Sequence, residues 1–85
     1  MNITSGIIEI DLHGMKVEPA LRKVVSEVNK ASGSVYIIRV IHGYHGGTGI
    51  KEAIKDEFSY GRNEKVKEVR AGNNPGITEL VLRKL

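Results

Sequence analysis

The stretch IIEIDLHGMKVEPALRKVVSEVNKASGSVYIIRVI, residues 7–41, decides the fold. Residues 7–13 alternate between apolar and polar side chains, which predicts a strand. From Val17 the apolar residues recur at the spacing of an amphipathic helix, and the small residues 32–34 end it. Residues 35–41 are almost continuously apolar, which is typical of a central strand buried on both faces. The stretch therefore predicts a βαβ unit with two parallel strands.

The rest of the chain adds a second helix and two strands. Apolar spacing from Ile50 to Phe58 predicts the helix, with Thr48 or Gly49 as its N-cap. Residues 65–70 are short and highly charged, as an edge strand often is. The turn formers at 72–76 and the apolar residues at 77–85 then predict a hairpin. The expected fold is a two-layer α/β sandwich in the order βαβαββ, with a small mixed four-stranded sheet.

Length and composition limit the class of protein. The chain has 85 residues, enough for a single domain at 1–85 with its core at about 7–85. Hydrophobic residues make up 40% and charged residues 27%, which favours a soluble globular domain. Because there is no cysteine, disulfides, thiolate catalysis and cysteine-ligated zinc are excluded. With no signal peptide and no apolar run of about 20 residues, we expect a cytoplasmic protein without a membrane partner.

Polar residues gather where the two parallel strands end. Asp11 and His13 close the first strand, and residues 42–51 follow the second. Because parallel pairing brings these ends together, ligands of open α/β sheets bind at this edge. One interpretation makes His13 a general acid or base oriented by Asp11. The other is that the two side chains only cap local backbone.

The loop after the second strand contains four glycines and two histidines. The residues of interest are His42, Gly43, Tyr44, His45, Gly47, Thr48, Gly49 and Lys51. Its backbone N–H groups and Lys51 could hold a phosphate, since glycines allow close approach to a ligand. Alternatively, Asp11, His13, His42 and His45 could bind a divalent metal. A third interpretation is a tight strand-to-helix connection without a ligand. Tyr44 could stack on an unpaired base, or simply be exposed.

In order and spacing, these motifs resemble those of the Smr, or small MutS-related, domain family. The matching segments are Ile10-Asp11-Leu12-His13-Gly14, Val17-Glu18-Pro19-Ala20-Leu21, Ile41-His42-Gly43 and Gly47-Thr48-Gly49-Ile50-Lys51. The resemblance covers residues 7–85 and implies a fold similar to the carboxyl-terminal domain of bacterial translation initiation factor three. The loop is longer here than the short H-G-x-G-T-G form of the family, which leaves the register of the loop and the role of His45 open.

The resemblance also implies endonuclease activity on RNA or DNA, with Asp11 and His13 as the residues tied to cleavage. It implies nucleic-acid binding by His42, Gly43, Gly47, Thr48, Gly49 and Lys51, with Tyr44 and His45 as accessory residues. Some family members act at the ribosome, and the net charge of +3 also favours a polyanionic partner. The alternative is a non-catalytic module that binds nucleic acid or the ribosome through the same surface. The sequence leaves the use of Mg²⁺ or Mn²⁺ and the oligomeric state open.

Overall fold

The computed structural model describes residues 2–4, 6–43, 48–59 and 63–83. Seven elements follow one another along the chain. They are β1 (Asn2–Thr4), β2 (Ile7–Asp11), α1 (Val17–Lys30), β3 (Ile37–Ile41), α2 (Thr48–Phe58), β4 (Glu68–Ala71) and β5 (Ile77–Val81). The predicted order βαβαββ is confirmed from β2 onward, and β1 is an additional short strand before it. No helix in these ranges is long and apolar enough to cross a bilayer.

The sheet is mixed, with the strand order β1-β2-β3-β5-β4. β2 and β3 pair in parallel, with Ile10 beside Val40. The other three pairs are antiparallel, and β4 with β5 forms the predicted hairpin. The charged strand β4 lies at one edge, as predicted, and β1 occupies the other. The carboxyl ends of β2 and β3 therefore lie side by side.

Both helices pack on one face of the sheet. α1 contributes Ala20, Val24 and Val28 to the core, and α2 contributes Ile50, Ile54 and Phe58. On the strands, Ile8, Ile10, Ile38, Val40 and Leu80 meet them. The apolar spacing of α1 predicts its buried stripe, because side chains three and four residues apart share one side of a helix. This single core orients the strand ends that form the candidate site.

The prediction that the central strand is buried on both faces is wrong. Ile38 and Val40 are buried, whereas Ile37, Arg39 and Ile41 are only half-buried. The second face carries a row of charges across four strands instead of a helix layer. In this row Arg39 binds Glu79 and Glu9, and Glu79 also binds Arg70. A charged residue is tolerated in an apolar run when its partners lie on the neighbouring strands.

Several element boundaries differ from prediction. β2 ends at Asp11, because the next residues form a turn, and β3 begins two residues later than predicted. β4 runs from Glu68 to Ala71, and β5 ends at Val81. α2 begins at Thr48, so Thr48 and Gly49 lie in its first turn and neither is the N-cap. Strand ends depend on which neighbour is present to pair, which a single sequence does not specify.

Candidate active site

Asp11 and His13 form a hydrogen-bonded pair at the end of β2. The His13 Nδ1 lies 2.5 Å from the Asp11 Oδ1, and the His13 backbone N–H donates to the same oxygen at 3.2 Å. The side chains of His13 and Asp11 remain 72% and 56% exposed. Because Nδ1 is engaged, Nε2 is the ring nitrogen left to meet a ligand. The carboxylate thus fixes the orientation of an accessible imidazole.

The pair shifts both ionisation equilibria. The hydrogen bonds from His13, together with its charge, lower the pKa of Asp11, and the Lys23 ammonium adds a smaller effect in the same direction. The hydrogen bond to Asp11, and then the negative charge of Asp11, raise the pKa of His13 above 6.5. The charged imidazolium is therefore favoured relative to an isolated histidine. A ring in this state donates a proton from Nε2 more readily than it accepts one.

A tight turn presents His13 to solvent. The Met15 N–H donates to the Leu12 carbonyl at 3.0 Å, which closes a four-residue turn with His13 and Gly14 at its centre. Gly14 has a φ of +79°, the value required at the third position of a type II turn. Residues with a Cβ disfavour that angle, which explains the glycine after the histidine. The turn also ends β2 and leads into α1.

Gly43 lies directly beside His13. Leu12 N–H donates to the Ile41 carbonyl at 2.7 Å, which joins the two strand ends. A Cβ added to Gly43 would lie 3.4 Å from the His13 Cβ, and Gly43 has a φ of +83°. The predicted approach of the two motifs therefore occurs through these residues.

His42 turns away from this surface and into the core. Its side chain is buried, with only 2% of the residue exposed. Nε2 lies 2.8 Å from the Thr78 hydroxyl, and Nδ1 lies 3.2 Å from the Gly43 carbonyl. Because a carbonyl only accepts, Nδ1 carries the proton, and in the neutral ring Nε2 accepts from Thr78. His42 therefore holds the loop in place, and its ring nitrogens are not directed at a ligand.

The turn between β4 and β5 supports the loop from the opposite side. The backbone N–H groups of His42 and Gly43 both donate to the Gly76 carbonyl, at 2.9 and 3.0 Å. Asn74 fixes that turn, since its side chain accepts from the Gly76 N–H at 2.9 Å. These two loop N–H groups are thus used within the chain and are not available to hold a phosphate.

The architecture matches a domain of known structure. No protein-family model and no curated protein sequence matches the chain. The crystal structure of the Smr domain of Thermus thermophilus MutS2 matches it with a TM-score of 0.75 and 26% sequence identity. The match covers 91% of this chain and 99% of that one. The chain has the fold of an Smr domain. The resemblance inferred from the sequence motifs is confirmed.

The remaining loop residues of this Smr-like domain fall into two groups. Tyr44, His45 and Gly47 lie outside the described residues. Thr48, Gly49 and Lys51 lie in the first turn of α2, which contains no acidic residue. The first-turn N–H groups of a helix have no partner within the helix and carry partial positive charge, so they favour an anion. The nucleic-acid-binding role of these residues stays a prediction.

Gly49 has a packing role in addition to any role in binding. A Cβ at Gly49 would lie 2.9 Å from the Val17 Cγ2, closer than two such atoms approach. The glycine therefore lets the start of α2 approach the start of α1. Because α1 begins just after the His13 turn, this contact places the start of α2 on the same side of the domain as His13.

The predicted metal set does not come together among the described residues. Across the described ranges, no group of three histidine or acidic side chains is arranged to hold a metal ion. His42 is separated from Asp11 and His13 by its burial, and His45 lies outside these ranges. The Asp11 carboxylate, exposed and deprotonated, is the group that suits a hydrated Mg²⁺ or Mn²⁺ ion.

Sequence reasoning missed three supporting residues: Asn74, Gly76 and Thr78. The first two were recognised only as turn formers, and Thr78 only as part of the last strand. Dense turn-forming residues before a strand indicate a tight turn, but they do not indicate which loop the turn touches. That contact follows from the antiparallel pairing of β3 with β5, where Ile41 lies beside Ile77.

Proposed function

We propose that this chain is an Smr-like endonuclease that cleaves phosphodiester bonds of RNA or DNA. The observation that carries the proposal is the exposed Asp11–His13 pair with its 2.5 Å hydrogen bond. The fold shared with the Smr domain of MutS2 supports a nuclease-related or nucleic-acid-binding module. The acid-free first turn of α2, with Lys51 beside it, supports recognition of an anion such as a phosphate.

In this mechanism His13 acts as a general acid. Asp11 holds Nδ1 and favours the charged ring, so Nε2 donates its proton to the oxygen that leaves phosphorus. The N–H groups at the start of α2 and the Lys51 ammonium stabilise the negative charge that develops on the phosphoryl oxygens. With RNA the attacking group is the neighbouring 2′-hydroxyl. With DNA it is water, and a divalent ion bound at Asp11 would supply Lewis-acid activation.

The decisive experiment incubates the purified chain with end-labelled single-stranded RNA and with supercoiled plasmid. Each substrate is tested with Mg²⁺, with Mn²⁺ and with EDTA. We expect His13→Ala to lower the cleavage rate by roughly 10²- to 10⁴-fold. Asp11→Asn should also lower it, because the ring loses its orientation. Glu52→Gln removes an exposed acid on α2 and serves as the control that keeps wild-type activity.

The outcomes separate the alternatives. RNA products that end in a 2′,3′-cyclic phosphate, with no cutting of a substrate that carries a single 2′-deoxy linkage, assign attack by the 2′-hydroxyl. Cleavage that persists in EDTA excludes a required divalent ion. Binding of RNA without cleavage under every condition would assign the chain as a non-catalytic module. Cleavage that is equal in wild type and His13→Ala would reject the proposed site.

A further inference from the structure

A second cavity lies at the opposite end of the sheet from His13. It has a volume of about 380 Å³ and opens between the end of α1, the segment before β4 and the end of β5. Val35 and Leu82 form an apolar floor and are only 4% and 7% exposed. Lys65, Lys67 and Arg83 line it as cations. The volume falls within the range of roughly 300–1,000 Å³ that small ligands occupy.

Lys65 compensates the end of α1 and has no donor to spare. Its Nζ donates to the carbonyls of Val28, Asn29 and Ala31 at 3.3, 2.8 and 3.2 Å. An ammonium group has three N–H donors, so all of them are used. Its charge offsets the partial negative charge of the helix carboxyl end. The cavity is therefore not electronegative, although a helix ends at its wall.

Lys67 and Arg83 are held in place and keep free donors. The Lys67 Nζ donates to the Glu64 carbonyl at 2.9 Å, and an Arg83 guanidinium nitrogen donates to the Gly33 carbonyl. The backbone N–H groups of Leu82 and Arg83 both donate to the Tyr36 carbonyl, which fixes the start of the Arg83 side chain. Each cation uses only part of its donors for these bonds, so the remainder can meet a ligand.

We infer that this cavity binds a phosphate group of a nucleic-acid strand, with the adjoining sugar against the Val35 and Leu82 floor. Glu64 is the one acidic residue in its lining, against three cations. A guanidinium and an ammonium side by side match the oxygens of a phosphodiester. The ligand is a chain phosphate, because the apolar floor adds a surface that a free anion does not need. The inference rests on the proposed nucleic-acid function.

The distance between the two sites sets the length of strand required. Leu82 and Gly76 are six residues apart along β5, which is about 20 Å at ~3.4 Å per residue. The molecule itself measures 32 × 26 × 20 Å. One strand of a duplex advances ~3.4 Å per nucleotide, so about six nucleotides separate the two contacts. A strand shorter than this reaches only one site at a time.

The test measures binding of fluorescein-labelled single-stranded RNA by anisotropy, with the full chain carrying His13→Ala to prevent cleavage. Lys67→Gln/Arg83→Gln is compared with Arg22→Gln/Lys55→Gln, which removes the same charges from exposed helix positions. For a 16-nucleotide RNA we expect the cavity variant to bind about tenfold more weakly than the control. Its salt slope should fall by about 1.4, since each lost contact to a single strand is worth ~0.7.

A four-nucleotide RNA should bind both double variants about equally, because it cannot span the two sites. In the background with His13 intact, the cavity variant should raise KM for the long RNA and leave kcat unchanged. Equal losses in the two double variants would overturn the second site while leaving the proposed cleavage intact. Failure of the His13→Ala parent to bind the 16-nucleotide RNA would overturn the second site, and failure of wild type to bind or cut it would also overturn the proposed function. Both substituted side chains are exposed, so thermal melting should match that of wild type.

Discussion

The backbone of Gly43 lies against the side chain of His13, with the position of a Gly43 Cβ only 3.4 Å from the His13 Cβ. This contact joins the end of β2 to the loop after β3. The loop is fixed in turn by Gly76, whose carbonyl accepts from the Gly43 N–H at 3.0 Å. The position of His13 therefore depends on residues far from it in sequence.

Gly43→Ala should destabilise the fold and impair cleavage. An alanine at a φ of +83° costs about 1–2 kcal/mol, and relief of that strain would shift the backbone beside His13. Chemical denaturation measures the first effect, and the cleavage rate measures the second. Gly33→Ala is the control, because its added Cβ would lie no closer than 3.6 Å to another group and φ is not in the left-handed region. Equal stability of the two variants would contradict the strain argument.

Asp11→Asn should lower the pKa of His13 toward 6.5. The charged pair stabilises the fold between about pH 3.8 and 6.5. The contribution of His13 is lost as pH rises through its raised pKa, and that of Asp11 is lost as pH falls through its lowered pKa. NMR titration of the imidazole measures the shift. Glu9→Gln, which removes another β2 carboxylate, should leave it unchanged. An unaltered His13 pKa in Asp11→Asn would show that the pair does not form in solution.

The sequence predicts α1 well because its apolar residues keep one period over the whole helix. The predicted start at Val17 is confirmed, and Ala20, Val24 and Val28 are buried. β1 was missed because Asn2–Thr4 spans three residues and shows no pattern. It pairs because β2 offers an open edge, with Ile3 beside Ile8. A contact of this kind depends on the neighbour and not on local propensity.

The sequence predicts that the D-x-H and H-G motifs meet, but not which way each side chain points. The alternation of β3 provided a signal for His42. Continued by one residue, it puts His42 on the same face as Ile38 and Val40, toward the core. Its partner Thr78 could not be inferred, since it lies 36 residues away. The register of β3 on β5 brings the two together, and that register is set by the packing of the whole sheet.

Thr78→Val should destabilise the domain by roughly 1–3 kcal/mol, the cost of leaving a buried polar group without its partner. The His42 Nε2 would lose the hydroxyl that lies 2.8 Å away. Denaturant unfolding measures the change in free energy. Thr78→Ser retains the hydroxyl and should cost about 1 kcal/mol for the lost methyl group. If valine were tolerated as well as serine, the His42–Thr78 bond would have no structural role.

Glu79→Gln should destabilise the sheet more than Glu9→Gln does. The Glu79 side chain is 8% exposed and accepts from Arg39 at 3.1 Å and from Arg70 at 2.9 Å. Hydrogen bonds to charged groups contribute about 1.5–3 kcal/mol, and the neutral amide would weaken both. Glu9 is 40% exposed and contacts Arg39 at 3.3 Å, so water screens it and the loss should stay below ~1 kcal/mol. Urea denaturation of the two variants compares them directly. Equal losses would show that the buried position of Glu79 adds nothing, and that the charge row stabilises the sheet no more than surface ion pairs do.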